Sequence, residues 1–258
     1  MRKLLLFPLI AAILFSCNGT KESSAQKDDS QDIANDEMLF IDSVAVDSNR
    51  FMVIKMNDGC ARIELADSVI PSINDSTIAL CVEAAFTGEL LDEFTPSNIA
   101  GDYVMNGVLR KGYKCSANTG FLYSDNDTVL IAPLAERQQW TDRAVLNNGT
   151  LFEQMMILHD GAYVYADQPI KPATKNIYRS ACVFSDGTFG IVQSDGFISL
   201  GEFIADLAKL NVKDALYLDM GTGWNYGWYR PTVDSDATLF FEETTPFQTN
   251  WLLIRYNN

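Results

Sequence analysis

The chain has 258 residues, 47% hydrophobic, 11% aromatic and 21% charged, which is the profile of a folded globular protein and not of a disordered or low-complexity chain. Thirty-four acidic residues against 19 lysines and arginines give a formal charge of -15, a surface that repels DNA, RNA and anionic lipid, so no nucleic-acid partner is expected. The single histidine, His159, excludes sites that need two imidazoles, including His-rich zinc sites and HExxH proteases, and no metal or other cofactor is expected.

The first 17 residues read as an export signal. Arg2 and Lys3 form a basic head, and the apolar run Leu4 to Phe15 is too short to span a bilayer as a stable helix. Leu14-Phe15-Ser16-Cys17 resembles the bacterial lipobox, in which the cysteine is lipidated and becomes the first residue. An ordinary secretory signal that happens to end in cysteine is the alternative. Residues 18–37 carry one large apolar residue, Ile33, and cannot bury enough surface to fold, so they read as a flexible acidic tether. Asn18, where an aspartate would favour inner-membrane retention, points to a lipid anchor in the outer membrane. Lys27-Asp28-Asp29 reads as a solvated charge run, although it also resembles surface-export signals of Bacteroidetes lipoproteins. In an exported protein Cys60, Cys81, Cys115 and Cys182 allow two disulfides with three connectivities, or buried free thiols. No CxxC pair occurs, so metal binding through cysteine is not expected.

From residue 38 to residue 258 the pattern is that of one α+β domain with a mostly strand-built core and a few short helices. Leu39–Ile41 and Arg50–Met56 are β-rich, the second ending at the Asn57-Asp58-Gly59 turn; Thr77–Val82 is an apolar run of strand length. Phe121–Tyr123 and Thr128–Ala132 flank a polar turn as a hairpin, and Phe152–Leu158 reads as one strand closed by His159-Asp160-Gly161. Ser180–Phe184 and Thr188–Gln193 make a second hairpin across Ser185-Asp186-Gly187. Ser199 and Glu202 form a capping box ahead of Phe203, Ile204, Leu207 and Leu210 at helical spacing, a helix that Asn211 ends. Ala215–Leu218, Leu239–Phe241 and Trp251–Ile254 supply the last strands.

Several short motifs recur in a telling order. Arg179-Ser180-Ala181, the Asp186-Gly187 turn, Leu200-Gly201-Glu202-Phe203 through Leu210, and Leu218-Asp219-Met220-Gly221-Thr222-Gly223 follow one another. Upstream stand Glu83-Ala84-Ala85-Phe86-Thr87, Asn106-Gly107, and the stretch from Gln154 to Gly161. This succession, spread over about 140 residues, resembles the phosphodiester glycosidase domain family, whose members cleave sugar-1-phosphodiesters. The chain departs from the family at two places: Glu83 stands where members carry an asparagine, and Met220-Gly221-Thr222-Gly223 replaces a glycine-rich G-G-G-S tail.

The resemblance implies a hydrolase with its site around Asp219, Arg179 and Glu83. Breaking a bond at an anomeric carbon generates an oxocarbenium-like state, which a nearby carboxylate such as Asp219 stabilises as nucleophile or by its charge. A leaving phosphate needs cationic clamping, which guanidinium groups supply bidentately; Arg179 and Arg230 are the candidates. Glu83 offers a second carboxyl as acid or base, yet strand alternation can equally turn it to solvent, and Arg179 can equally pair with a carboxylate inside the core. Gly221, Thr222 and Gly223 let backbone N–H groups approach a ligand, and Asn106 joins the substrate-binding set. The segment Trp224 to Arg230 holds four aromatics; Trp224, Tyr226 and Trp228 suit stacking on sugar faces or, alternatively, core packing. His159 reads as a turn residue, and Asp125-Asn126-Asp127 as a hairpin turn. The expected function is membrane-anchored hydrolysis of a sugar-1-phosphodiester, with a sugar-phosphate or glycan as ligand; the alternative is a catalytically inactive relative serving as a carbohydrate-binding surface lipoprotein.

Overall fold

The computed structural model describes residues 38–57, 61–88, 94–164, 175–220, 225–241 and 247–256. The leader with Cys17, the tether, Cys60, and Gly221, Thr222, Gly223 and Trp224 lie outside the described residues. In chain order the elements are β1 (Leu39–Val46), β2 (Asn49–Met56), β3 (Ala61–Ser68), β4 (Ile78–Glu83), β5 (Tyr103–Met105), β6 (Val108–Arg110), β7 (Gly120–Ser124), β8 (Val129–Pro133), helix α1 (Arg137–Leu146), β9 (Thr150–Gln154), β10 (Met156–His159), β11 (Ala162–Tyr163), β12 (Arg179–Phe184), β13 (Phe189–Ser194), helix α2 (Leu200–Lys209), β14 (Val212–Tyr217), β15 (Gly227–Tyr229), β16 (Thr238–Leu239) and β17 (Thr249–Tyr256). The fold is α+β, as the strand-rich sequence predicts.

Three antiparallel sheets carry it. One has seven strands in the order β1-β2-β13-β12-β14-β10-β11; the others have five, β16-β15-β4-β17-β3 and β6-β5-β9-β7-β8. Alternation along each strand sends one set of apolar side chains to a shared core. Ile54, Ala181 and Leu216 from the first sheet, Leu80, Val82 and Leu252 from the second, and Leu122 and Phe152 from the third all meet there. The opposite face of the seven-stranded sheet is covered by Phe203, Ile204 and Leu207 of α2. The opposite face of the third sheet is covered by Trp140 and Ala144 of α1. The outer face of the second sheet collects Cys81, Tyr226, Trp228 and Trp251.

The capping box forms as predicted. The Ser199 hydroxyl accepts from the Glu202 backbone N–H at 3.2 Å, and the Glu202 carboxylate accepts from the Ser199 N–H at 2.8 Å. Asn211 leaves the helix in the left-handed region at φ 61. Both hairpins also form, β7 with β8 and β12 with β13. The run from 152 to 158 is not one strand: β9 ends at Gln154 in the third sheet, and β10 begins at Met156 in the first. Helix α1 carries few buried residues, Thr141 and Ala144, and no side-chain cap, so its sequence lacks the stripe that marks α2. Cys81, Cys115 and Cys182 are free thiols, so no disulfide joins any two of them. Among the described residues no helix is long and apolar enough to cross a membrane.

Candidate functional site

The seven-stranded sheet and the second sheet approach each other at the end of β4, the start of β12 and the end of β14. β4 lies between β15 and β17, so all six of its residues are buried, and Glu83 at its end is covered completely. The alternation that might have turned this carboxyl to solvent instead turns it onto the outer, Cys81-bearing face of the second sheet, which Tyr226, Trp228 and Trp251 fill. Arg179 opens β12, and it too has no accessible surface. Its Nη1 donates to Glu83 Oε2 at 3.2 Å and to the Tyr226 carbonyl at 3.4 Å, and its Nε donates to Gln193 Oε1 at 2.9 Å. The Phe240 ring lies 4.6 Å from the guanidinium carbon. Among the described residues, two buried atoms of this pair, Glu83 Oε1 and Arg179 Nη2, have no hydrogen-bond partner.

Asp219, two residues past the end of β14, is tied to the backbone just beyond Glu83. The ladder to β12 runs one step past the strand, Leu218 N–H donating to the Arg179 carbonyl at 3.0 Å. The next residue crosses to the second sheet: Asp219 N–H donates to the Ala84 carbonyl at 3.1 Å, and Asp219 Oδ2 accepts from Thr87 N–H at 3.3 Å. Burial pushes the Glu83 carboxyl well above the usual carboxylate range; the Arg179 charge opposes this shift and the Asp219 charge reinforces it. A carboxyl whose pKa burial raises, near a second carboxyl, is an arrangement that general acid–base chemistry can use.

Amides that the sequence reading did not assign hold the segment after Glu83 in place. Asn250 accepts from Ala85 N–H at 2.8 Å through Oδ1 and donates to the Ala85 carbonyl at 2.9 Å through Nδ2. Gln154 Nε2 donates to the Ala84 carbonyl at 3.2 Å, and the Thr87 and Thr249 hydroxyls are 2.6 Å apart. The readable signal was a fully buried amide inside an otherwise apolar strand, as in Thr249-Asn250-Trp251-Leu252.

The other predicted residues are placed differently. Tyr226 contributes its backbone carbonyl to Arg179, while its ring packs edge-on against Trp251 at 6.1 Å. Trp228 is completely buried in the same apolar cluster and has no face for a sugar; its neighbour Gly227 is packed so closely on β4 that a Cβ would sit 2.8 Å from the Cys81 carbonyl oxygen. Arg230 lies toward the other end of β4 from Glu83, its N–H bonded to the Ala79 carbonyl, so the structure does not bring it to the Glu83–Arg179 pair. Asn106 is exposed in the β5–β6 turn at φ 50, on the rim of a cleft of about 380 Å³ with Arg62, Glu64 and Asn148. His159, Asp160 and Asp214 bring one ligand atom each within 4.8 Å of one another. His159 Nδ1 is 2.7 Å from Asp214 Oδ1, and Lys213 Nζ is 3.5 Å from Asp160, so an ion-pair network supplies the counter-charge there.

No protein-family model matches the chain, and no curated protein does. Solved structures do. The catalytic domain of zebrafish N-acetylglucosamine-1-phosphodiester alpha-N-acetylglucosaminidase, in a form auto-inhibited by its pro-peptide, superposes with a TM-score of 0.54 at 12% identity. The match covers 85% of this chain and 82% of that one. A hypothetical protein from Synechocystis gives a looser match, TM-score 0.46 at 14% identity over 85% of this chain and 62% of the other. The zebrafish likeness establishes a shared fold, and with it a distant structural relationship to a phosphodiester glycosidase.

Proposed function

We propose that the protein is a phosphodiester-glycosidase-like hydrolase that cleaves a sugar-1-phosphodiester, and that a lipid on Cys17 holds it at the outer membrane by way of the 18–37 tether. The observation that carries this reading is the buried Glu83–Arg179 pair with Asp219 tied to the backbone beside it, Leu218 N–H bonding the Arg179 carbonyl and Asp219 N–H the carbonyl of Ala84, next to Glu83. A buried acid–guanidinium pair with an oxygen and a nitrogen unpartnered among the described residues is a poor way to stabilise a core, and groups of this kind concentrate at sites of chemistry. In this reading the sugar C1–O bond breaks with its electron pair leaving on the phosphate, Asp219 stabilises the positive charge at C1, and water completes the hydrolysis. Glu83 carries the mobile proton. Arg179 holds Glu83 and faces the phosphate once Phe240 moves aside.

A second reading is a catalytically silent relative that binds a carbohydrate. The complete burial of Arg179 beneath Phe240 favours it, as does Glu83 in place of the family's asparagine. Offering the purified domain an N-acetylglucosamine-1-phosphodiester separates the two. Release of free sugar supports the hydrolase; saturable binding with no release supports the silent relative.

A further inference from the structure

Arg230 is 6% exposed, and unlike the other buried or half-buried arginines it meets no acid. Arg110, Arg137, Arg143, Arg179 and Arg255 each reach a carboxylate; among the described residues Arg230 reaches none, in a chain with 34 acidic side chains. Its Nη1 donates to the Ser235 carbonyl at 3.5 Å and its Nη2 to the Ile73 carbonyl, while its Nε has no partner among the described residues. The guanidinium carbon lies 5.4 Å from the Trp228 ring, which braces it without neutralising it. A buried cation without a counter-ion is costly unless something supplies the negative charge.

The same side chain lines a cleft of about 400 Å³ together with Ile73, Asn74, Asp236 and Ala237. We propose that this cleft binds an oxyanion, the carboxylate, sulfate or phosphate group of a small molecule or a glycan, with Arg230 as its charge partner and Asn74 as a neutral hydrogen-bonding wall. Exposed Asp236 on the rim opposes the anion and keeps the affinity modest. The site is separate from the Glu83 centre: Arg230 is bonded beside Ala79, four residues along β4, about 13 Å at ~3.3 Å per residue.

The test is calorimetric titration of the intact domain with inorganic phosphate at low ionic strength, followed by sulfate and glucuronate, with neutral glucose as control. Saturable binding of the anions and not of glucose is expected, weakening as salt rises; the order of the three anions identifies which oxyanion the cleft suits. Arg230 also ties two loops, so the deciding variants leave it intact. Asp236→Asn should bind severalfold more tightly, and Ala237→Phe, which fills the cleft, should abolish binding. Absence of saturable binding in both wild type and Asp236→Asn, or undiminished binding in a folded Ala237→Phe, would overturn the proposal.

Discussion

The Glu83 carboxyl and the Arg179 guanidinium meet at 3.2 Å, 96 residues apart in sequence and both without accessible surface. Truncating either alone strands the other. Glu83→Met or Arg179→Met should each cost roughly 3–5 kcal/mol, while the two together, apolar and of similar volume, should recover most of that. Denaturant midpoints of the two single variants and the double variant measure the coupling.

Because burial raises the Glu83 pKa above its unfolded value, the folded state holds this proton longer than the unfolded chain does. The contribution is fully present below the unfolded carboxyl pKa, about 4.3, and is lost as pH climbs from there through the folded value. Unfolding free energy measured against pH should therefore fall over that window in wild type relative to Glu83→Gln, in which the group no longer titrates. Parallel curves for the two would show that Glu83 is not held protonated.

The capping box, both hairpins and the α+β class were legible because they depend on local signals: Ser199 and Glu202 three apart, Asp186-Gly187 between two apolar runs. Asp219 and Arg179 were legible as a charged residue at the end or start of an apolar strand. The nearness of Glu83 to them was expected from the family resemblance and not from any local pattern, since β4 and β14 belong to different sheets, linked here by bonds from Asp219 to Ala84 and Thr87. The break at Met155 was hidden because a strand-like run of seven residues does not say that its halves serve two sheets. Trp228 misled because an aromatic segment reads the same whether it faces a ligand or a sheet.

Asn250 clamps both backbone groups of Ala85, extending the β17 ladder by a side chain where the backbone turns toward Asp219. Asn250→Ala leaves a buried N–H and a buried carbonyl unpaired and should cost roughly 2–4 kcal/mol, read from the thermal or denaturant midpoint. Any turnover should fall further than the loss of folded protein explains, because the segment carrying Glu83 and Thr87 loses its register.

Thiol labelling of the native protein should single out Cys115, which is half-buried, over Cys81 and Cys182. Burial pushes the Cys182 thiol up to about 12, so its thiolate is scarce at neutral pH. Mass spectrometry after a short alkylation reads the order directly; prompt labelling of Cys182 in folded protein would contradict this packing.

The most direct measurement is the release of free N-acetylglucosamine from its 1-phosphodiester by wild type and by Asp219→Asn, each at a verified folded fraction. A hydrolytic site predicts turnover in wild type that falls by about two orders of magnitude or more in the variant, as removal of one charge-stabilising group does elsewhere. Equal turnover in the two proteins would contradict it.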